Sequence, residues 1–237
     1  MVKSFKATIK LKKKIVITGH SRGIGKKLAD YFYNSGHEVI GISRSKSNNI
    51  NIIQYKCDIT DNKKLIKIFK KIKKFDVLIN NSSITKHSNN PSKNFEKIVQ
   101  TNLIGTFNCC NNSLKYLRGG VIINISSINS YLAFPNNPGY VSSKGGVKSL
   151  TRALALDYSK HKIRVNSVSP GYINDGMSKE SFKNKTKNKK RLQRTILKRW
   201  GTPEDLFGIL DYLFSEKSNY VTGQDFVIDG GWIIKGL

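Results

Sequence analysis

Short apolar runs alternate with helix-like segments along most of the chain, and this alternation most limits the possible folds. The runs with the length and character of buried strands are residues 15–17, 39–42, 51–55, 77–79, 121–125, 163–168 and 226–228. Helical patterns are predicted over 24–35, 61–74 and 140–160, and Pro203 is expected to open another helix. Strands that alternate with helices pair in parallel. The sequence therefore predicts one α/β domain, a doubly wound parallel sheet of about seven strands with helices on both faces.

Composition excludes several classes of protein. With 237 residues, 38% of them hydrophobic, the chain has enough apolar material for one large core. The best apolar run, 121–125, is far too short to cross a bilayer. The three cysteines, Cys57, Cys109 and Cys110, are an odd number without metal-ligand spacing. We therefore expect no membrane span, no metal site and no disulfide framework, and a reducing, cytoplasmic location.

The charge is unusual, with 42 Lys and Arg against 15 Asp and Glu, a formal net charge of +27. Such a balance suggests a polyanionic partner. However, 34 of these cations are lysines and only 8 are arginines, which is the skew expected from an AT-rich genome. We therefore expect neither nucleic acid nor a membrane as partner. Residues 1–14 hold six lysines and no acid and are predicted to be a basic arm before a single domain at 15–237. This arm is a disordered segment, an extra edge strand or a remnant of a targeting peptide.

A glycine-rich loop joins the first predicted strand to the first predicted helix. It reads Thr18-Gly19-His20-Ser21-Arg22-Gly23-Ile24-Gly25. Glycines let the backbone turn tightly and approach a pyrophosphate, which sits on the N–H groups at the start of a helix. The spacing alone is a weak signal, but its place between a strand and a helix makes it strong. The loop predicts a dinucleotide site.

These residues, with others along nearly the whole chain, resemble the short-chain dehydrogenase/reductase family. The further matches are Asp58-Ile59, Asn80-Asn81, Asn102, Ser127, Tyr140-x-x-x-Lys144, Pro170-Gly171, the 199–205 segment, Val221-Thr222-Gly223-Gln224 and Asp229-Gly230-Gly231. Within the family the chain is most similar to 3-oxoacyl-ACP reductases. The resemblance implies a single Rossmann-type domain, NAD(P)(H) as cofactor and a carbonyl compound as substrate.

Tyr140 and Lys144 lie one helical turn apart, and a lysine on the same face favours the phenolate electrostatically. A second pair at the same spacing, Tyr158 and Lys162, lacks a serine thirteen residues upstream, whereas Ser127 precedes Tyr140 at that distance. By resemblance, Tyr140 donates a proton to the carbonyl oxygen, Ser127 hydrogen-bonds that oxygen and Lys144 also holds the nicotinamide ribose. Asn102 would position a water that relays protons to Lys144.

Cofactor preference is predicted from the end of the second strand. NAD-preferring relatives usually place an acid there for the ribose hydroxyls, but this chain has Ser43 followed by Arg44, with Arg22 in the glycine loop. Two guanidiniums and no carboxylate suit a 2′-phosphate, so NADP(H) is predicted over NAD(H). The predicted cofactor contacts are Gly19, Ser21, Arg22, Gly23, Ile24, Gly25, Arg44, Asp58, Ile59, Asn81, Tyr140, Lys144, Pro170, Gly171 and Ile173.

Two positions depart from the family pattern. The motif after the fourth strand normally reads Asn-Asn-Ala-Gly, and here Ser83 replaces the glycine. After Pro170-Gly171 the family usually has a threonine that touches the cofactor, and here Asp175 occupies that place. Neither change removes a group that performs the chemistry.

The segment 174–200 corresponds to the family's substrate lid, and from 179 to 199 it holds ten Lys or Arg and one acid. Composition alone accounts for such a face, but a positive rim also steers anionic substrates. The predicted function is NADPH-dependent reduction of a ketone or 3-oxoacyl thioester to a secondary alcohol. The substrate is predicted to be anionic or carrier-bound, and the enzyme to be a homo-oligomer (tetramer or dimer). The alternatives are an enzyme of the same family acting on a sugar or other small carbonyl, and a non-catalytic protein that binds a cofactor or a polyanion.

Overall fold

A seven-stranded parallel sheet forms the centre of the molecule in the computed structural model, which describes residues 12–86, 89–117 and 119–235. The strands are β1 (Lys14–Thr18), β2 (Glu38–Ser43), β3 (Ile53–Lys56), β4 (Val77–Asn80), β5 (Val121–Ile125), β6 (Arg164–Pro170) and β7 (Asp225–Ile228). Their order is β3-β2-β1-β4-β5-β6-β7. The order reverses direction between β1 and β4, where crevices form at the carboxyl ends of the strands.

Helices cover both faces of this sheet. They are α1 (Gly23–Asn34), α2 (Asn62–Ile72), α3 (Pro91–Val99), α4 (Gly105–Ser113), α5 (Pro138–Asp157), α6 (Lys179–Lys183), α7 (Lys185–Arg194) and α8 (Phe207–Phe214). One apolar cluster joins α2, α4 and α5 to one face of the sheet. A second cluster joins α1 and α8 to the other face. The predicted doubly wound α/β fold is therefore confirmed.

Several predicted boundaries need correction. The helix predicted over 140–160 begins two residues earlier, at Pro138, and ends at Asp157 with a short 3₁₀ turn after it. Pro203 opens a 3₁₀ turn rather than α8 itself. The third strand is 53–56 rather than 51–55, and the sixth is 164–170 rather than 163–168. Of the predicted basic arm, residues 1–11 lie outside the described part of the chain, and Lys14 belongs to β1.

The sequence patterns do not predict the helical stretch from Pro91 to Ser113. Its first half, α3, buries only Ile98, so its apolar pattern is faint. Asn90 caps its start by accepting a hydrogen bond from the backbone N–H of Lys93. A π-helical turn over Gln100–Ile104 then joins α3 to α4. This turn breaks the regular helical spacing and places Asn102 in the interior.

A histidine and a glycine share one space beside the glycine-rich loop. The imidazole of His20 is fully buried, and its Nε2 lies 2.9 Å from Oε1 of Gln54 on β3. A Cβ added to Gly41 on β2 would lie 2.2 Å from His20 Cγ. Burial lowers the pKa of His20, against the opposing effect of the Gln54 hydrogen bond. The ring therefore packs as a neutral group in the volume that Gly41 leaves open.

The described helices include none with both the length and the apolar character needed to cross a membrane.

Candidate active site

A cleft of about 1010 Å³ opens at the carboxyl ends of the strands. It contains all the predicted cofactor and catalytic residues except Gly25 and Asn102. Gly25 and Asn102 lie directly behind the cleft wall, where they hold neighbouring segments in place. The cleft also includes residues of α7 and the segment before α6, so the predicted lid forms one of its walls.

The glycine-rich loop closes one end of the cleft. Gly19 and Gly23 have φ values of +73° and +58°, a left-handed conformation that favours glycine. A Cβ on Gly25 would lie 2.3 Å from both Asn81 Nδ2 and Gly19 O, so the first turn of α1 packs directly against the loop. The N-cap residue of α1, Arg22, makes no side-chain capping hydrogen bond, and the first turn of the helix holds no acid. Its N–H groups are therefore suited to hold the diphosphate of a dinucleotide.

Asn81 ties this loop to the end of β4. Its side-chain amide donates to Thr18 O and Gly19 O at 3.2 and 3.3 Å. The Thr18 hydroxyl in turn accepts from the backbone N–H groups of Asn81 and Ser82, both at 3.1 Å. These bonds fix the loop against the neighbouring strand.

Ser127, Tyr140 and Lys144 meet on one side of the cleft. Ser127 follows β5, and its hydroxyl accepts from the N–H of Asn129 at 3.2 Å. Tyr140 and Lys144 come from the first turns of α5, and Lys144 Nζ lies 5.6 Å from the Tyr140 ring centre. Lys144 is 3% exposed and donates to the carbonyl oxygen of Ile125 at 2.8 Å. Tyr158 instead packs into the core that α2, α4 and α5 share, outside the cleft.

Burial shifts the pKa of both titratable groups in this set. It lowers the pKa of Lys144 to about 7. It raises the pKa of Tyr140, and the hydroxyls of Ser127 and Ser83 act in the opposite direction. A buried lysine beside a buried tyrosine is an arrangement in which a proton can be held or released near neutral pH.

Ser83, which replaces the family's glycine, thus lies at the tyrosine. Its Oγ is buried and has no hydrogen-bond partner among the described residues. The sequence identified this position as a departure near the cofactor backbone. In the fold it adds a second hydroxyl beside Tyr140.

Asn102 is 1% exposed and lies behind the cleft. Its side chain accepts from the N–H of Ile84 and donates to Ile84 O, both at 2.9 Å, and also donates to Ser143 Oγ at 3.1 Å. These bonds join the segment after β4 to α5. The predicted role in holding a water stays a prediction.

Arg22 and Arg44 are exposed at the end of the cleft beside Ser43. A hydrogen bond of 3.0 Å between the hydroxyls of Ser45 and Ser21 joins the loop after β2 to the glycine-rich loop.

Asp58, which follows β3, accepts hydrogen bonds from the N–H and the hydroxyl of Thr60 at 3.0 and 2.9 Å. Burial raises the pKa of Asp58, but these hydrogen bonds and the charges of Lys97 and Arg44 hold it below its usual value. Ile59 is buried beside it.

The lid leaves the sheet after β6. Pro170 ends that strand, and the N–H of Gly171 donates to Ile228 O at 2.9 Å. Ile173 is 4% exposed and pairs with Gly201, which anchors both ends of the lid. Asp175 accepts from the N–H of Gly176 through Oδ1 at 2.7 Å. Its Oδ2 is buried and has no hydrogen-bond partner among the described residues. This oxygen lies 4.0 Å from the position that a Cβ of Gly23 would occupy.

Aromatic rings line the lid side and were not predicted as site residues. The Tyr172 ring packs edge-on against Trp200 and Trp232, with centroid distances of 5.4 and 5.3 Å. Trp200 Nε1 donates to Asn188 Oδ1 at 2.7 Å and so attaches α7 to the segment after it. Arg191 lies over the Tyr172 ring and lines the cleft. A basic lid was visible in the sequence, but which of its cations faces the cleft was not.

Comparison with known proteins gives consistent results. Residues 19–233 match a family model described as enoyl-(acyl carrier protein) reductase. The chain is 32% identical to a 3-oxoacyl-[acyl-carrier-protein] reductase of Thermotoga maritima over 240 residues, covering 92% of this chain and 97% of that protein. It is 28% identical to a 2-dehydro-3-deoxy-D-gluconate 5-dehydrogenase of Dickeya dadantii over 240 residues, covering 93% and 95%.

Solved structures agree in fold. A gluconate 5-dehydrogenase from Burkholderia cenocepacia, in complex with NADP and tartrate, has a TM-score of 0.88 at 26% identity, with 95% of this chain and 97% of that chain covered. A 4-hydroxyisoleucine dehydrogenase complexed with NADH also has a TM-score of 0.88, at 29% identity, with 95% and 100% covered. On the family match, the relatives and the fold together, the chain belongs to the short-chain dehydrogenase/reductase family of oxidoreductases.

Proposed function

We propose that the protein reduces a ketone or a 3-oxoacyl thioester to a secondary alcohol with NADPH. The observation that carries this proposal is the meeting of Ser127, Tyr140 and Lys144 in the same cleft as the glycine-rich loop. When bound, NADPH supplies the hydride that adds to the carbonyl carbon.

The chain's own residues handle the oxygen and the proton. Ser127 donates a hydrogen bond to the substrate's carbonyl oxygen and so orients it toward Tyr140. Tyr140 transfers its proton to that oxygen as negative charge develops there, which leaves the phenolate. Lys144, held by the carbonyl of Ile125, stabilises the phenolate while its ammonium is charged. Asn102 acts as a positioning residue, because its amide joins the segment after β4 to α5.

NADP(H) as the cofactor rests on the end of the cleft near β2. Ser43 stands at the position where NAD-preferring relatives usually have an acid, and Arg22 and Arg44 line this end. Charge-assisted hydrogen bonds to phosphate contribute about 1.5–3 kcal/mol, roughly a tenfold to hundredfold effect on affinity. Arg44→Ala is therefore expected to weaken NADPH binding by that factor and to affect NADH binding much less. A wild-type protein that binds NADH more tightly than NADPH would contradict this choice.

A second candidate is a reductase or dehydrogenase that acts on a sugar or another small carbonyl compound. The relatives named for sugar acids support it. A non-catalytic role is the third possibility, and NADPH binding without turnover of any carbonyl compound would favour it.

The test is NADPH consumption on a panel of 3-oxoacyl thioesters, sugars, sugar acids and simple ketones. Tyr140→Phe removes the donated proton with little change in volume, so turnover is expected to fall below a few per cent while NADPH binding stays nearly unchanged. Tyr158→Phe is the matched control, because Tyr158 lies in the core and its hydroxyl has no partner among the described residues. A Tyr140→Phe variant with normal turnover would refute the mechanism.

We also propose that the chain forms a homo-oligomer. Large apolar side chains are exposed along α4 and α5, Phe107 at 41% and Leu156 at 76%. Such exposure favours burial against another copy. Light scattering on the purified protein tests this, and a monomer at micromolar concentration would contradict it.

A further inference from the structure

The three arginines of the lid have different surroundings. Arg199 forms an ion pair with Asp205 through two hydrogen bonds of 2.7 Å. Arg194 lies over the Trp232 ring, 4.2 Å from its centre, and donates to the Trp232 carbonyl. Arg191 is the one that lines the cleft. The charge of Arg199 is thus paired and Arg194 lies outside the cleft, whereas Arg191 is available inside it.

The guanidinium of Arg191 is held in a defined orientation. Its Cζ lies 4.3 Å from the centre of the Tyr172 ring and 5.5 Å from that of Trp200, and one Nη donates to Ser181 Oγ. A guanidinium has five N–H donors in a planar fork, and stacking on a ring occupies its face rather than its edge. An edge that remains open in a cleft suits a carboxylate or a phosphate.

Lys187 adds a second cation to the same wall. It precedes Arg191 by one turn of α7, so both side chains lie on one helix face, and both line the cleft. Among the described side chains, no carboxylate forms an ion pair with either residue. Two acids share the cleft: Asp175 lies against Gly23, at the end where the diphosphate is expected, and Asp58 follows β3.

Two cations on one helix face repel each other, and Arg191 also loses solvation because it is half-buried, whereas Lys187 is exposed. An anion bound between them offsets both costs. Arg191 is half-buried among aromatic rings in the cavity that also holds Tyr140. A large carrier protein would instead meet the exposed lysines outside the cleft. The geometry therefore favours an anion small enough to enter with the reacting carbonyl.

We propose that Arg191, with Lys187, binds an anionic group carried by the substrate itself, so that the preferred substrates are small oxo acids or phosphorylated carbonyl compounds. This inference rests on the proposed function and specifies its substrate class. The anion is recognised at the lid, and the carbonyl is held at Ser127 and Tyr140.

Turnover of matched pairs tests the proposal. The pairs are levulinate and methyl levulinate, acetoacetate and methyl acetoacetate, and dihydroxyacetone phosphate and dihydroxyacetone. Wild-type protein is expected to have a higher kcat/KM for the charged member of at least one pair. The pair with the greatest preference identifies carboxylate or phosphate as the anion.

Arg191→Met is expected to lower kcat/KM for the preferred anion by about 10- to 100-fold and to change that for its neutral partner by less than about threefold. Arg191→Lys keeps the charge but loses the planar fork, so its kcat/KM for the preferred anion is expected to lie between those of the wild type and Arg191→Met. Lys190→Met is the control, because it makes the same change in net charge at the neighbouring, exposed position of α7. Equal losses for charged and neutral substrates in Arg191→Met, or losses in Lys190→Met of the same size, would overturn the proposal.

A binding measurement separates this inference from the proposed function. Trp200 and Trp232 are the chain's two tryptophans, and both pack on Tyr172 beside Arg191. The protein is titrated with each compound in the presence of NADP⁺. Levulinate or dihydroxyacetone phosphate should change the tryptophan fluorescence, and the neutral partners should not. Arg191→Met should abolish this change. Selective binding without any turnover would refute the proposed reduction alone. Turnover with no selectivity in either rate or binding would refute the anion site alone.

Discussion

A second hydroxyl beside Tyr140, the proposed proton donor, distinguishes this chain from the family pattern at the scale of single residues. Ser83 and Ser127 both act to lower the pKa of Tyr140, which burial raises. Each neutral hydrogen bond to the reacting group contributes about 1 kcal/mol, or roughly fivefold in rate. Ser83 thus offsets part of the cost of burying the phenolate.

Ser83→Ala is expected to raise the pKa of Tyr140, because it removes a hydroxyl that acts to lower this pKa. Reduction needs the protonated tyrosine and therefore declines as pH rises through this pKa. The declining limb of the kcat profile should move to higher pH, and kcat for alcohol oxidation at neutral pH should fall about fivefold. Ser83→Thr, which keeps the hydroxyl, should restore the wild-type profile. An unchanged pH profile in Ser83→Ala would show that the hydroxyl does not act on Tyr140.

Asp175 places a carboxylate where the fold prepares a site for an anion. Its unpartnered Oδ2 lies 4.0 Å from the position that a Cβ of Gly23 would occupy in the glycine-rich loop. We expect repulsion between this carboxylate and the diphosphate of a bound cofactor to cost about 1–2 kcal/mol. Asp175→Asn should therefore tighten NADPH binding roughly 5- to 30-fold, as measured by NADPH fluorescence or calorimetry. Asp157→Asn, at the exposed end of α5, makes the same charge change far from the cleft and should leave affinity unaltered. Weaker binding in Asp175→Asn would mean that the carboxylate supports the cofactor site.

At the scale of elements, the start of α1 packs closely against the end of β4. Gly25→Ala would bring its Cβ within 2.3 Å of Asn81 Nδ2 and Gly19 O, so the loop must shift. We expect a loss of NADPH binding and a lower melting temperature, both measurable on the purified variant. Gly208→Ala is the control: its Cβ meets nothing within 4 Å in α8, and alanine should stabilise that helix by about 0.5–1 kcal/mol. A Gly25→Ala variant that binds NADPH normally would contradict this view of the loop.

The sequence predicted the elements that carry a strong apolar signal and missed those that do not. The central strands β1, β4 and β5 are nearly continuous apolar runs because both faces of the sheet are covered. The more polar strands β3 and β6 were also predicted, and all seven lie within a few residues of their predicted bounds. The stretch from α3 to α4 was missed because α3 buries a single apolar side chain and a π turn interrupts the helical period.

The candidate site divides in the same way. Residues of the cofactor side lie in loops directly after strands, and their order in the chain already indicated that they would converge. The lid differs, since Lys187, Arg191 and Arg194 share one face of α7 and periodicity cannot tell which of them reaches the cleft. Arg194 packs on Trp232, outside the cleft, whereas Arg191 packs on Tyr172 and lines the cleft. These contacts join positions that are distant in the sequence, so periodicity does not reveal them.

The molecule as a whole carries a net charge of +27. Among the described residues, ion pairs join Lys14 to Glu38, Lys26 to Asp30 and Arg199 to Asp205. Most of the positive charge therefore has no compensating partner on the surface, and self-repulsion opposes the compact state.

Added salt should raise the melting temperature, because it screens this repulsion. Between about 20 mM and about 300 mM NaCl we expect an increase of roughly 2–5 °C, which calorimetry can measure. The increase should level off as the screening length falls below the spacing of the charges. A melting temperature that is constant or falls over this range would show that repulsion does not limit stability.

The shared space of His20 and Gly41 has an evolutionary consequence. Because a Cβ at position 41 would meet the imidazole at 2.2 Å, Gly41 cannot gain a side chain while His20 stays. A descendant of this chain that acquires a larger side chain at position 41 must first, or at once, exchange His20 for a small residue. The two positions should therefore vary together among homologues, with bulk at one accompanied by its loss at the other.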